Sequence, residues 1–425
     1  MNENLKWFTD AKYGLFVLWG VYSMLGGVWK GERAPHTSEW IMKNMNIPLS
    51  EYRPLMKDFC PTAFDARAYV KKAKEWGMRY VTVTAKHHDG FALYDSKVSD
   101  YTVMHTPYGK DIIRQFADAC AEEGMTFCVY YSQMQDWEHP HGNGNTWDFD
   151  PKEQCFETYF YEKCVPQVQE LLTEYGKIGM IWFDTPYDMP VELCRELAEV
   201  VKACQPECLI NGRIGYGLGD YRQMADNSIP NHAYFGAWEV PMTLNGTWGY
   251  SHFDAHWAEP AEVIARLSAV AGKGGNLLLN VGPDRNGVIP ERSVEILDEV
   301  GEWLRRNGES IYGTSALPDF PYEIKWGNLT YRAEGRRLYL HVKKYPRLTP
   351  RVSILGLRTR VKSARLLTTG EELRFTQTYE QARDEERFAV WIPAECPDPV
   401  DTVVVLELAG EPEAQRLDEG FYARP

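Results

Sequence analysis

Seven short, continuous apolar runs alternate with helical patterns along most of this chain of 425 residues, and no other feature limits its fold so strictly. The runs are GLFVLW (14–19), YVTVTA (80–85), TFCVYY (126–131), IGMIWF (178–183), CLIN (208–211), AYFGAW (233–238) and NLLLNV (276–281). A half-exposed strand alternates apolar with polar residues; unbroken apolar runs suit strands buried on both faces. Amphipathic helix candidates lie between them at 65–77, 111–124, 191–204 and 291–308. Another spans ETYFYEKCVPQVQELLTEYG, where Pro166 starts a new helix, and several of these segments end on Gly as helix C-termini do. The alternation predicts parallel β/α units closing into a (β/α)8-like, TIM-type barrel with one irregular unit. A doubly wound open sheet is the alternative, but no GxGxxG follows the first run and no GxxxxGK[ST] occurs.

After about residue 313 the pattern changes to short strands broken by Gly and Pro, such as RVSILGL, RFAVWIP and DTVVVLELAG, with no helix between them. This predicts an antiparallel β-sandwich. The expected division is a barrel domain over 1–312 and a C-terminal sandwich domain over 313–425, ending in the tail EPEAQRLDEGFYARP.

The net charge of −14 argues against nucleic acid as a partner, because such affinity rests on clustered Lys and Arg. No apolar run reaches membrane-spanning length, so no membrane association is expected. The nine cysteines form no CxxC pair and read as reduced thiols. With no leader pattern in MNENLKWFTDAKYG, this predicts a cytoplasmic protein, although removal of a leader would leave a similar start. The sequence leaves homo-oligomerisation open.

In a barrel of this kind the site forms at the C-terminal ends of the strands. The residues just after each run are therefore informative: Trp19 and then Glu39-Trp40; Lys86, His87, His88 and Asp89; Tyr130 and Tyr131; Asp184; Arg213; Trp238 and Glu239. HExxH and other zinc spacings are absent, and successive residues at a strand end point opposite ways, so neither metal nor cofactor is expected. No GxSxG elbow is present. Asp184 and Glu239 remain as a carboxylate pair able to flank a glycosidic bond. Trp19, Trp40, Tyr131, Trp182, Trp238 and Trp248 could wall a sugar site. The plainer readings are a helix cap for Asp184 and a surface ion pair for Glu239.

The motifs themselves carry a resemblance. WFTDAKYGLFVLWGVYS, SEW (38–40), AKHHDGFALYDS (85–96), YYS (130–132), IWFD (181–184), NGRIG…GDY (211–221), WE…TWGY (238–250) and KGGNLLLNVGPDRNGVIP (273–290) together resemble the α-L-fucosidases of glycoside hydrolase family 29. The resemblance runs from about Trp7 to Thr314. It implies an exo-acting, retaining hydrolase of terminal α-L-fucosides in oligosaccharides or glycoconjugates. Asp184 would be the nucleophile and Glu239 the general acid and base; Asp254, Glu259 and Glu262 are its rivals. His87, His88, Glu39, Trp40, Tyr131 and Arg213 match positions that hold sugar hydroxyls, and Trp248 would close the pocket.

Three positions depart from the family pattern. Leu18 replaces a histidine that binds fucose hydroxyls, Thr185 replaces the glycine after the nucleophile, and Asp136 stands where Glu is common. A leucine can neither donate nor accept, which weakens fucose binding or favours an α-L-sugar with a different O4. A carbohydrate-binding pseudo-enzyme is a further reading, opposed by the presence of both carboxylates.

Overall fold

The computed structural model describes residues 3–234, 236–317, 324–382 and 385–415. Eight parallel strands make one curled sheet: β1 (Tyr13–Val17), β2 (Tyr80–Lys86), β3 (Thr126–Tyr131), β4 (Met180–Phe183), β5 (Leu209–Ile210), β6 (Arg222–Gln223), β7 (Trp238–Thr243) and β8 (Asn276–Val281). Their spatial order is β5-β4-β3-β2-β1-β8-β7-β6, so the first strand pairs with the last and the sheet closes as a barrel does. β5 and β6 do not pair with each other; Asp220 bridges that seam, its carboxylate accepting from the Ile210 N–H at 2.8 Å and its own N–H donating to Ile210 O at 2.8 Å. This is the irregular unit.

Strand residues sort by parity into two apolar layers. Phe16, Leu18, Cys128, Tyr130, Met180, Trp182 and Leu278 fill the barrel interior. Val17, Trp19, Val129, Tyr131, Ile181 and Phe183 face the helices instead. Those helices begin where the sequence supplies caps. Asp65 accepts from the Ala68 N–H at 3.1 Å ahead of helix Ala66–Glu75, and Asp111 from the Arg114 N–H at 2.7 Å ahead of Ile112–Glu123. Pro166 stands at the start of helix Val165–Glu174. Helix Pro260–Gly272, not among the helices expected from sequence, opens with a capping box between Glu259 and Glu262.

One strand is displaced from its expected place. The sixth apolar run predicts a strand at 233–238, but the strand is Trp238–Thr243, WEVPMT. A Pro and a Glu hide it from a search for apolar runs. Pro241 is tolerated because β6 pairs only with Trp238 and Glu239, so its missing donor faces no strand.

Beyond the barrel, β9 (Gly327–Arg332), β10 (Arg337–Val342), β11 (Arg351–Leu355), β12 (Val361–Leu366), β13 (Phe375–Glu380), β14 (Glu385–Trp391) and β15 (Thr402–Leu408) are antiparallel. They form two sheets, β9-β10-β15-β12 and β11-β14-β13, with a shared apolar core that includes Leu340, Ile354, Phe388 and Val404. Asn328 on β9 donates to Ser268 O at 2.8 Å, fastening this unit to helix Pro260–Gly272. Of the expected tail, residues 416–425 lie outside the described residues.

Candidate active site

A cavity of about 390 Å³ opens at the C-terminal ends of the barrel strands. Asp184 enters it directly after β4, and β4 is fully buried, so the carboxylate stands on a rigid mount. Both of its oxygens are held. Arg213 Nη1 donates to Oδ1 at 2.7 Å, and Tyr130 Oη donates to Oδ2 at 2.9 Å. His88 Nε2 lies 3.5 Å from Oδ2. The Asp184 N–H is fixed by Gln133 Oε1 at 2.7 Å. Asp184 caps no helix here; the next helix starts at Val191.

A second carboxylate shares the cavity. Asp226 comes shortly after β6, and the other guanidinium nitrogen of Arg213, Nη2, donates to it. Burial raises the Asp226 carboxyl above its ordinary value, the Arg213 cation lowers it and the Asp184 charge raises it again, with a net upward shift. Sequence reading misses this residue because Arg222–Gln223 is a two-residue polar strand that leaves no apolar run. The available signal is a carboxylate shortly after GDY, on the same loop system as Arg213.

The rest of the cavity wall is polar and buried. His87 and His88 both face the cavity because the chain leaves strand geometry at Lys86. Burial holds both imidazoles well below their ordinary range, so they are neutral at pH 7. His88 Nδ1 pairs with Ser132 Oγ at 2.7 Å, whereas His87 Nδ1 has no partner among the described residues. Glu39 Oε2 accepts from Thr247 Oγ1 at 2.9 Å and the Gly249 N–H at 3.0 Å. Its Oε1 is buried without a partner among the described residues, and burial raises this carboxyl. Buried polar atoms without a partner are costly to the fold. Trp40 meets His88 edge-on at 5.0 Å, and Trp248, Trp182, Phe16 and Leu18 supply apolar faces.

Thr185 also lines the cavity. It has φ of +44°, in the left-handed region that disfavours a β-branched residue, and its Oγ1 accepts from Gln135 Nε2 at 2.8 Å. Asp136 lies outside the cavity, buried between Lys86 at 2.8 Å and Lys163 at 3.0 Å, which outweigh burial and hold it ionised.

Four expected site residues are placed elsewhere. Glu239 does not line the cavity. With its strand shifted toward the C-terminus, it stands near the start of β7 rather than beyond its end. There it is fully buried and bound by Tyr80, Trp182 and Tyr221. It therefore has no access to a leaving group in the cavity. Tyr131 points outward and donates to Gln167 Oε1 at 2.9 Å, while its neighbour Tyr130 takes the inward place. Trp19 likewise points outward, packed on Phe59 and Phe64 with its N–H on Asp284 O at 3.1 Å; Leu18 faces the cavity. Trp238, expected in the aromatic wall, donates to Lys273 O at 3.1 Å and does not line the cavity either.

Known proteins share this architecture. The sequence profile described as alpha-L-fucosidase matches residues 1–309. The crystal structure of alpha-L-fucosidase from Vibrio sp. strain EJY3 superposes with a TM-score of 0.92 at 31% identity, covering 98% of this chain and 74% of that one. Alpha-L-fucosidase isoenzyme 1 from Paenibacillus thiaminolyticus gives 0.85 at 34% identity, covering 96% and 99%. An alpha-L-fucosidase from Bacteroides thetaiotaomicron, trapped as a covalent intermediate with 2-fluoro-fucosyl fluoride, gives 0.87 at 29% identity, covering 96% and 97%.

Proposed function

The chain belongs to the α-L-fucosidase family and is a retaining glycosidase, and on that footing we propose that Asp184 is its nucleophile and Asp226 its general acid and base. The carrying observation is the single guanidinium of Arg213 that binds both carboxylates at one cavity mouth. Shared on one cation, the pair suits the closer spacing of about 5–5.5 Å used in double displacement. In the first step Asp184 forms a bond to the anomeric carbon as the bond to the leaving oxygen breaks, and Asp226 gives that oxygen its proton. In the second, water attacks the same carbon, Asp226 takes its proton, and the bond to Asp184 breaks. The upward shift of Asp226 suits a group that must start protonated.

The sugar released is a terminal α-L-fucose of an oligosaccharide or glycoconjugate. Glu39, His87, His88 and Trp40 bind its hydroxyls, and Trp248 covers it. All five line the cavity, which supports this assignment. Catalysis belongs to residues 1–312. No helix among the described residues is long and apolar enough to cross a membrane, and all nine cysteines are unpaired, which supports a reducing, cytoplasmic setting.

A second reading rests on Leu18. It gives the cavity an apolar edge with no donor or acceptor, favouring another α-L-sugar whose hydroxyls avoid that edge. Turnover of p-nitrophenyl α-L-glycosides separates the two. Azide added to Asp226→Ala, with an activated fucoside, should restore turnover and give the glycosyl azide. Rescue in Glu239→Ala instead would return the acid role to Glu239.

A further inference from the structure

We propose that Glu239 is a positioning residue that fixes the plane of Trp182 and, through it, the groups that hold the nucleophile. The proposal rests on Asp184 being that nucleophile. Glu239 is fully enclosed within the barrel and meets no cation among the described residues. Three donors converge on it: Tyr80 Oη at 2.6 Å and Tyr221 Oη at 3.3 Å, with Trp182 Nε1 at 2.9 Å. An acceptor shared by these donors in a buried interior resists displacement, because the indole N–H would otherwise be unsatisfied; Tyr221 Oη also lies 2.6 Å from Met180 Sδ.

Trp182 is the link to the cavity. Its N–H points down to Glu239, and its ring reaches the cavity floor. The Arg213 guanidinium lies 4.8 Å from that ring, and Tyr130 stacks on it at 5.5 Å and 25°. Arg213 and Tyr130 are the two side chains that bind the oxygens of Asp184. A tilt of the indole therefore moves both donors together, and small misplacements at a reacting centre carry large rate penalties. The effect should fall on kcat more than on KM, because Arg213 and Tyr130 hold the nucleophile itself, whereas Glu39 in the sugar-binding wall is held separately by Thr247 and Gly249.

The test is a double-mutant cycle on p-nitrophenyl α-L-fucoside. Glu239→Gln keeps an acceptor at the same reach; Glu239→Asp keeps the carboxyl but withdraws it by one methylene. Glu239→Asp should lower kcat by about tenfold with KM within about twofold, while Glu239→Gln stays within about threefold of wild type. In a Trp182→Phe background, which lacks the indole N–H, Glu239→Asp should change kcat by less than about twofold. Wild-type kcat in Glu239→Asp, an undiminished loss in the Trp182→Phe background, or equal losses for Asp and Gln would each overturn the proposal. Asp184→Ala is run alongside. Residual wild-type turnover there sinks the reading of the site itself, whereas a dead Asp184→Ala with an additive cycle sinks only the role of Glu239.

Discussion

Arg213 Nη1 lies 2.7 Å from Asp184 Oδ1, and the same guanidinium binds Asp226 through Nη2. One planar cation thus sets the position of two carboxylates that arrive from different strand ends. Arginine presents its donors as a rigid fork, which a lysine cannot reproduce. Arg213→Lys should therefore lower kcat by about a hundredfold while leaving the thermal midpoint within a few degrees. Steady-state kinetics and a melting curve on the same preparation check this; an intact kcat would show that the bridge is dispensable.

Asp184→Ala should lose about a thousandfold or more in kcat, because it removes the carboxylate that Arg213 and Tyr130 hold in place to form the covalent intermediate. The trapped species offers a second check. A 2-fluoro-fucosyl fluoride should add covalently to the wild type, and peptide mass spectrometry should locate the label at Asp184. A label elsewhere would move the nucleophile.

The pH profile should report Asp226. The acid must be protonated for the first step, so kcat/KM falls as pH rises through its pKa. Burial and the Asp184 charge place that limb above the ordinary aspartate value of 3.8. Asp226→Asn should remove the limb and slow aryl fucosides with poor leaving groups most. A limb that survives in Asp226→Asn would assign it to another group.

Glu239 should leave its mark on stability. Burial pushes its carboxyl up to about 7 from an ordinary 4.5. A raised folded pKa means that the native state keeps a proton the unfolded chain releases between those values. Its contribution is therefore full below pH 4.5 and is lost as pH rises to about 7, on the order of 3 kcal/mol. The thermal midpoint of Glu239→Gln should fall less than that of wild type between pH 5 and pH 8. Parallel curves would show that Glu239 does not titrate there.

Leu18→His should raise kcat/KM on fucoside by up to about tenfold, the worth of one added hydrogen bond to a substrate hydroxyl. Leu18 lines the cavity, so the new imidazole has reach. An unchanged value, with turnover of another α-L-glycoside, would favour the second reading of the sugar.

The sequence by itself determined the barrel, its sandwich and the end of β4. Continuous apolar runs reveal buried parallel strands, and a charge placed directly after one must stand at the mouth, as Asp184 does. His87, His88 and Arg213 were legible for the same reason, and Glu39, Trp40 and Trp248 through motif resemblance. Only the tertiary structure decided which neighbour turns inward. Where both faces of a strand are buried, hydropathy is alike on each, so nothing in TFCVYY separates Tyr130 from Tyr131, or in GLFVLW separates Leu18 from Trp19. It also decided the two carboxylates that mattered most. WEVPMT is a strand whose charge is satisfied by Tyr80, Trp182 and Tyr221 from elsewhere in the fold, which put Glu239 inside the barrel. Asp226 reaches the site from a two-residue strand too short to leave a hydropathy signal, held there by an arginine thirteen positions earlier in the chain.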